Sequence, residues 1–240
     1  MSFATFKSAN KLVTGQSALQ YLVQAIEKFN IQKPFIVTDQ GVVKSGTLQH
    51  VLDLLTIEYS IFDEVKPEPE LEQVQDCIDV YRQQQCDSVL AVGGGSALDI
   101  AKCVAALAGQ SAEIHEFIGI DKIQNRNIPL IVIPTTSGTG SEVTNVAILS
   151  DTVNQMKQGI ISDYLLPDVA IVSPIMSVSC PASVTAASGV DALVHAVEAY
   201  ISVNHSDITD ALAIQAIELI IEYLPKAYAL PSNLIAREKM

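Results

Sequence analysis

Between roughly Pro34 and Pro174, short β-branched runs alternate with stretches whose apolar residues recur at helical spacing. Phe35-Ile36-Val37-Thr38 reads as a buried strand, and a helical stretch follows it through about Leu55. Ile57 to Phe62 predicts the next strand, then a helix from about Glu70 to Gln84 with Leu71, Val74, Ile78 and Tyr81 on one face. Ser88 to Val92 is a third strand, and Ile131-Val132-Ile133-Pro134 and Val169-Ala170-Ile171-Val172 add later ones. Strands and helices in alternation imply a parallel sheet covered on both faces. Beyond Pro174 the pattern changes to Ala, Leu and Ile at helical spacing from Ser183 to Tyr223, with no strand candidate. The expected division is an α/β unit over residues 1–178 and the beginning of an all-helical unit over 179–240. Ile235 to Met240 reads as a helix just starting, with no stop signal.

Composition narrows the function. Of 240 residues, 49 % are hydrophobic and 17 % charged, which is globular, and the formal net charge is −13. Phosphate contacts need clustered Lys and Arg, and here only pairs such as Lys7/Lys11 and Arg237/Lys239 occur, so a nucleic-acid partner is not expected. The first ten residues lack the apolar run of a signal peptide, and runs such as Leu130 to Ile133 are too short to span a bilayer. Cys77, Cys86, Cys103 and Cys180 show no C-x-x-C spacing and read as reduced thiols, which places the chain in the cytoplasm.

Four features carry candidate chemistry. Gly93-Gly94-Gly95-Ser96 joins a strand to a helix, where glycines let backbone approach a pyrophosphate and free N–H groups attract anions. The same glycines would also serve a tight turn without a ligand. The dinucleotide fingerprint G-x-G-x-x-G is incomplete, because Leu98 stands at the third glycine position. A second loop, Thr135 to Glu142, follows another buried strand with hydroxyls and two glycines suited to phosphate and ribose oxygens. Asp39 ends the first of these strands, where an acid binds the ribose hydroxyls of NAD and repels a 2′-phosphate, although a strand-end Asp also caps helices. Asp191 and His195, four apart on a helix, share a face and reach one metal ion, with Fe²⁺, Mn²⁺ and Zn²⁺ all compatible. A helix-terminal charge and a core histidine would show the same spacing. His205 lies in a turn and is expected to point away, and His50 and His115 receive no role.

Taken together, these segments resemble the iron-containing (group III) alcohol dehydrogenases. The likeness rests on Gly93 to Lys102, Pro134 to Thr144, Lys157 to Ile160, Leu166 to Ala170 and Thr185 to Tyr200, and it covers the whole chain. It implies a Rossmann-like nucleotide-binding domain with a parallel sheet followed by a helical domain, the dehydroquinate synthase-like architecture, with the active site between the two. By motif, Asp39, Gly94, Gly95, Ser96, Asp99, Thr135, Thr136, Thr139 and Lys157 would face NAD, while Asp191 and His195 would be two of four metal ligands. The implied chemistry is Lewis-acid polarisation of an aldehyde, or stabilisation of an alkoxide, during hydride exchange with nicotinamide. A small alcohol or aldehyde would be the substrate, and the full-length form is expected to be a homo-oligomer.

The family's remaining two ligands are histidines that nothing in this chain matches, so the sequence reads as the N-terminal portion of a longer enzyme. Two ligands hold an ion weakly, and these residues are expected to bind NAD without retaining iron. Helices absent from the chain should leave apolar surface exposed. Glu68 stands where many relatives carry Asn beside the cofactor, and Ser173 replaces a frequent Asp. Two alternatives remain at this stage: a non-catalytic dinucleotide-binding fragment or degenerate homologue, and a glycerol-dehydrogenase-like zinc enzyme.

Overall fold

In the computed structural model, which describes residues 5–111 and 113–240, the alternation resolves into a parallel sheet with two apolar layers against it. The strands are β1 (Leu12–Thr14), β2 (Pro34–Val37), β3 (Ser60–Phe62), β4 (Ser88–Gly93), β6 (Leu130–Pro134) and β9 (Val169–Val172), in the order β1-β9-β6-β4-β2-β3. Every pairing is parallel, and β2, β4 and β6 are buried along their whole length, which is why they read as continuous apolar runs. One face packs on α4 (Leu71–Gln83) and α5 (Gly95–Leu107). Against the other lie α1 (Tyr21–Lys28), α2 (Gln40–Lys44) and α3 (Gln49–Leu52). Phe35 of β2 meets Tyr81 of α4 edge-on, with ring centroids 5.5 Å apart, and so fixes α4 to β2.

Several expectations shift. The helical stretch expected through Leu55 splits into α2 and α3 at Gly46, whose φ of +77° is a left-handed turn conformation. The Ile57–Phe62 strand shortens to β3. A second sheet, absent from the sequence reading, is built from β5 (Gly119–Ile120), β7 (Val146–Asp151) and β8 (Met156–Ile161), with β7 and β8 antiparallel. Its hairpin is closed by the Asp151 carboxylate, which accepts from the backbone N–H groups of Val153 and Asn154 at 3.1 and 2.9 Å.

After β9 the described residues form a short 3₁₀ helix (Pro174–Ser177) and then three α-helices, α6 (Ala182–Ile201), α7 (Asp207–Ala229) and α8 (Leu234–Lys239), with no further strand. At the seam between α6 and α7, Gly189 faces Leu224. A Cβ on Gly189 would fall 2.3 Å from Leu224 Cδ1 and 3.1 Å from its Cγ, so the close approach of the two helices depends on that glycine. Gly189→Ala gains about 1 kcal/mol of helix propensity but overpacks the seam by about 1–3 kcal/mol. We expect a net fall in melting temperature by thermal circular dichroism, and an unchanged or raised value would refute that packing. The outer faces of the pair stay open: Val190, Val194, Ile201, Leu212 and Ile221 are each exposed by 47 % or more. Among the described residues, no helix is long and apolar enough to cross a membrane.

Candidate active site

The order of the sheet creates the site. From β2 the chain runs outward to β3, then returns to the other side of β2 as β4. Loops leaving the carboxyl ends of β2 and β4 therefore diverge to opposite faces and open a crevice between them. A cavity of about 790 Å³ occupies that position. Its wall includes Asp39, Gly94, Gly95, Ser96, Thr135 and Thr136, so six of the nine predicted cofactor residues converge there.

Local chemistry makes each wall. Gly94 is the N-cap of α5 and supplies no side-chain cap, so the first N–H groups of α5 face the cavity without an intrahelical partner. Close packing demands the glycines: a Cβ on Gly94 would lie 3.3 Å from Thr136 Oγ1, and one on Gly95 would lie 2.8 Å from Thr139 Oγ1. Thr139 thus braces the glycine turn from outside the cavity wall. Asp39 is the helix cap of α2. Its Oδ1 caps α2, accepting from Gly41 and Val42 N–H at 2.7 and 3.0 Å, while Oδ2 points toward Gly93 with no hydrogen-bond partner among the described residues.

The other two predicted residues lie elsewhere. Lys157, on β8, pairs with Glu68 at 3.3 Å beside the cavity-lining Pro67, with both side chains largely exposed. Asp99 sits beneath the second loop, its carboxylate accepting from Ser141 Oγ at 2.5 Å and from the Ile148 N–H at 3.0 Å. Next to it Lys102 is fully buried and donates to Ser141 Oγ (2.7 Å), Thr144 Oγ1 (3.0 Å) and the Val146 carbonyl (3.0 Å). Burial works against charge on both groups, lowering the Lys102 ammonium and raising the Asp99 carboxyl from their ordinary values, while their mutual attraction opposes both shifts. Burial likewise raises the Glu142 carboxyl.

Sequence reading missed the far wall. Lys66 and Pro67 after β3, and Ser179, Cys180, Ser183 and Ser188 around the start of α6, also line the cavity. Ser188 falls in the Thr185–Tyr200 segment quoted above without a role, and Pro181 at the start of α6 is a signal that could have marked this wall. The four cysteines are unpaired and buried. His205 hydrogen-bonds Asp210 at 2.9 Å, in its own turn.

Asp191 and His195 lie on one face of α6, with Oδ2 and Nδ1 3.7 Å apart and both side chains about half exposed. Two donors each about 2.1 Å from one ion in tetrahedral array stand roughly 3.4 Å apart. A carboxylate oxygen and an imidazole nitrogen suit a first-row divalent ion. The pair therefore fits half of a four-ligand shell. Among the described residues, no group of three or more His, Cys, Asp or Glu gathers to complete it. α6 and the Thr135–Glu142 loop approach closely, since a Cβ on Gly138 would lie 2.9 Å from the Ser188 carbonyl oxygen, less than one turn before Asp191.

A doubly wound sheet with an uncapped helix N-terminus at its switch point is the architecture of nucleotide-binding domains. Comparison with known proteins narrows that class. Residues 9–174 match the iron-containing alcohol dehydrogenase family and residues 185–240 match its C-terminal domain. The chain belongs to the iron-containing alcohol dehydrogenase family. It is 44 % identical to long-chain-alcohol dehydrogenase 1 of Geobacillus thermodenitrificans over 94 % of this chain and 58 % of the relative. Its fold superimposes on the crystal structure of a 1,3-propanediol oxidoreductase with a TM-score of 0.95 at 38 % identity, covering 99 % of this chain and 63 % of the other. A sulfoacetaldehyde reductase from Bifidobacterium kashiwanohense, solved in complex with NAD⁺, matches with a TM-score of 0.92 at 32 % identity, covering 100 % of this chain and 64 % of that one. The chain thus spans 58 % to 62 % of the length of the first curated relatives it matches.

Proposed function

We propose that this chain forms the cofactor cradle and two metal ligands of an NAD-linked, metal-dependent alcohol dehydrogenase that moves a hydride between a primary alcohol or diol and its aldehyde. The carrying observation is the convergence of Asp39, the uncapped start of α5 and Thr135-Thr136 on one cavity at the switch point. The N–H groups of Gly95 and Ser96 bind the pyrophosphate, and the hydroxyls of Ser96, Thr135 and Thr136 complete its shell. Asp39 Oδ2 accepts from the adenosine ribose hydroxyls. Lys157 reaches a ligand phosphate from the rim. Thr139 acts by holding the glycine turn in place. Asp191 and His195 hold the divalent ion, which when bound supplies a Lewis acid for the substrate oxygen. α6 also walls the cavity through Ser183, Val184, Ala187 and Ser188, and Asp191 and His195 follow on the same helix beyond that lining. In this reading the ion therefore sits next to the nicotinamide end, with the units 1–178 and 179–240 on the two sides of the cleft. The NAD⁺-bound relative and the alcohol and diol dehydrogenases among the matches support this reading.

The test uses NADH fluorescence on the 240-residue chain. We expect NADH to bind at least tenfold more tightly than NADPH. Asp39→Asn keeps the helix cap but removes the charge, and is expected to narrow that gap at least threefold. Equal affinities in the unaltered chain would overturn the reading. Fe²⁺ added anaerobically is expected to be lost on gel filtration, because two ligands hold it loosely. Stoichiometric retention would show that further ligands exist.

A further inference from the structure

We propose that Lys102 is a positioning residue: a buried strut that holds the second cofactor loop against α5 and, through that loop, sets the cofactor cradle against the metal-bearing helix. The inference rests on the cofactor reading above, to which it adds a residue that touches no ligand.

The geometry is specific. Lys102 has no exposed surface, so its ammonium cannot reach a ligand in the cavity. An ammonium has three N–H donors, and all three are used: on Ser141 Oγ, Thr144 Oγ1 and the Val146 carbonyl. Every acceptor belongs to the segment that runs from the end of the second cofactor loop into the first residue of β7. Asp99 completes the arrangement from the same helix face, accepting hydrogen bonds from the Ser141 hydroxyl and the Ile148 N–H while its Oδ1 lies 3.7 Å from the Lys102 nitrogen. Ser141 is thereby held from two sides.

That clamp has consequences in two directions. Thr139, two residues earlier, packs on Gly95, and the Ser141 N–H itself donates to Thr139 Oγ1 at 3.3 Å. Gly138, one further back, rests on the backbone of Ser188 in α6. Holding Ser141 therefore fixes both the glycine turn and the spacing to α6. A buried ammonium is costly unless fully hydrogen-bonded, and nothing in core packing requires a lysine here. A long cation that collects three separate acceptors is instead suited to locking one loop conformation.

The experiment compares the unaltered chain with Lys102→Met, Ser141→Ala and the charge-balanced double variant Asp99→Asn/Lys102→Met. NADH affinity of the folded fraction and amide hydrogen exchange across residues 135–146 are both read. In Lys102→Met and in the double variant we expect NADH to bind about fivefold more weakly, and the loop amides to exchange at least tenfold faster. Ser141→Ala is expected to show the same pattern at smaller amplitude without disturbing a charge. A lysine that only supported the core would lower the melting temperature while leaving the affinity of the folded fraction unchanged, and that result overturns the proposal. If Lys102→Met does not fold, the double variant and Ser141→Ala decide. If the unaltered chain takes up no NADH, the cofactor reading fails, and unchanged loop exchange in the variants would separately sink the strut.

Discussion

Gly138→Ala is expected to weaken NADH binding by a factor of about ten or more while leaving the sheet intact. The added methyl would lie 2.8 Å from Ser188 Cβ, 2.9 Å from the Ser188 carbonyl oxygen and 3.1 Å from its Cα. Two of those atoms are helix backbone and cannot swing aside as a flexible side chain would. Overpacking of this kind costs about 1–3 kcal/mol if borne in place, and each 1.4 kcal/mol is about tenfold in affinity. The loop is the softer partner, because α6 is a 20-residue helix. It therefore moves, carrying Thr135, Thr136 and Thr139 away from the glycine turn. Gly109→Ala provides the control, since a Cβ there meets nothing within 4 Å. Fluorescence titration of NADH against both variants is the measurement. An affinity for Gly138→Ala within twofold of that for Gly109→Ala would show that the loop is not set by its contact with α6.

Which parts of this arrangement the sequence disclosed follows from the range of the interactions. Fully buried strands such as β4 and β6 announce themselves as apolar runs, because both of their faces are covered by helices. The glycine turn and Thr135-Thr136 were legible because each follows such a strand directly. β1 was not legible: it is three residues long and pairs with β9, some 158 positions along the chain (170 − 12). The β7–β8 hairpin hid for another reason. Its inward positions include Ala147 and Asp151 beside Leu149, so period-two alternation is blurred by a polar residue that closes the turn. Asp99 shows the limit for site residues. Its motif places it one turn into α5 below the glycines, and only the fold reveals that its carboxylate turns under the loop to Ser141. The α6 wall of the cavity was hidden because Ser183 and Ser188 look like any small residues on a helix.

Asp168, in one of the segments that carried the family resemblance, is expected to matter for stability and not for the cofactor. It stands just before β9, at the amino end of the sheet, opposite the cavity. Its carboxylate takes both arms of Arg126, Nη1 at 2.7 Å and Nη2 at 3.1 Å, and also the Leu130 N–H at 2.9 Å that opens β6. Arg126 in turn donates to the carbonyls of Ile128 (2.8 Å) and Leu166 (3.0 Å), and only 9 % of its side chain is exposed. The pair thus ties the entries of two neighbouring strands, β6 and β9, to each other through the segment that leads into β6. Asp168→Ala leaves a nearly buried guanidinium without its counter-charge and an N–H without its acceptor. Losses of this kind come to about 3 kcal/mol, which in a chain of this size lowers the melting temperature by roughly 6–12 °C. The double variant Arg126→Leu/Asp168→Ala is expected to recover part of that loss, because the uncompensated charge is removed. Thermal unfolding by circular dichroism measures both, and NADH affinity at 20 °C below the transition should match that of the unaltered chain. A melting temperature within 2 °C of the unaltered value for Asp168→Ala would mean that the ion pair does not hold the sheet. A selective loss of NADH affinity would mean instead that the amino end of the sheet is coupled to the cleft at the other.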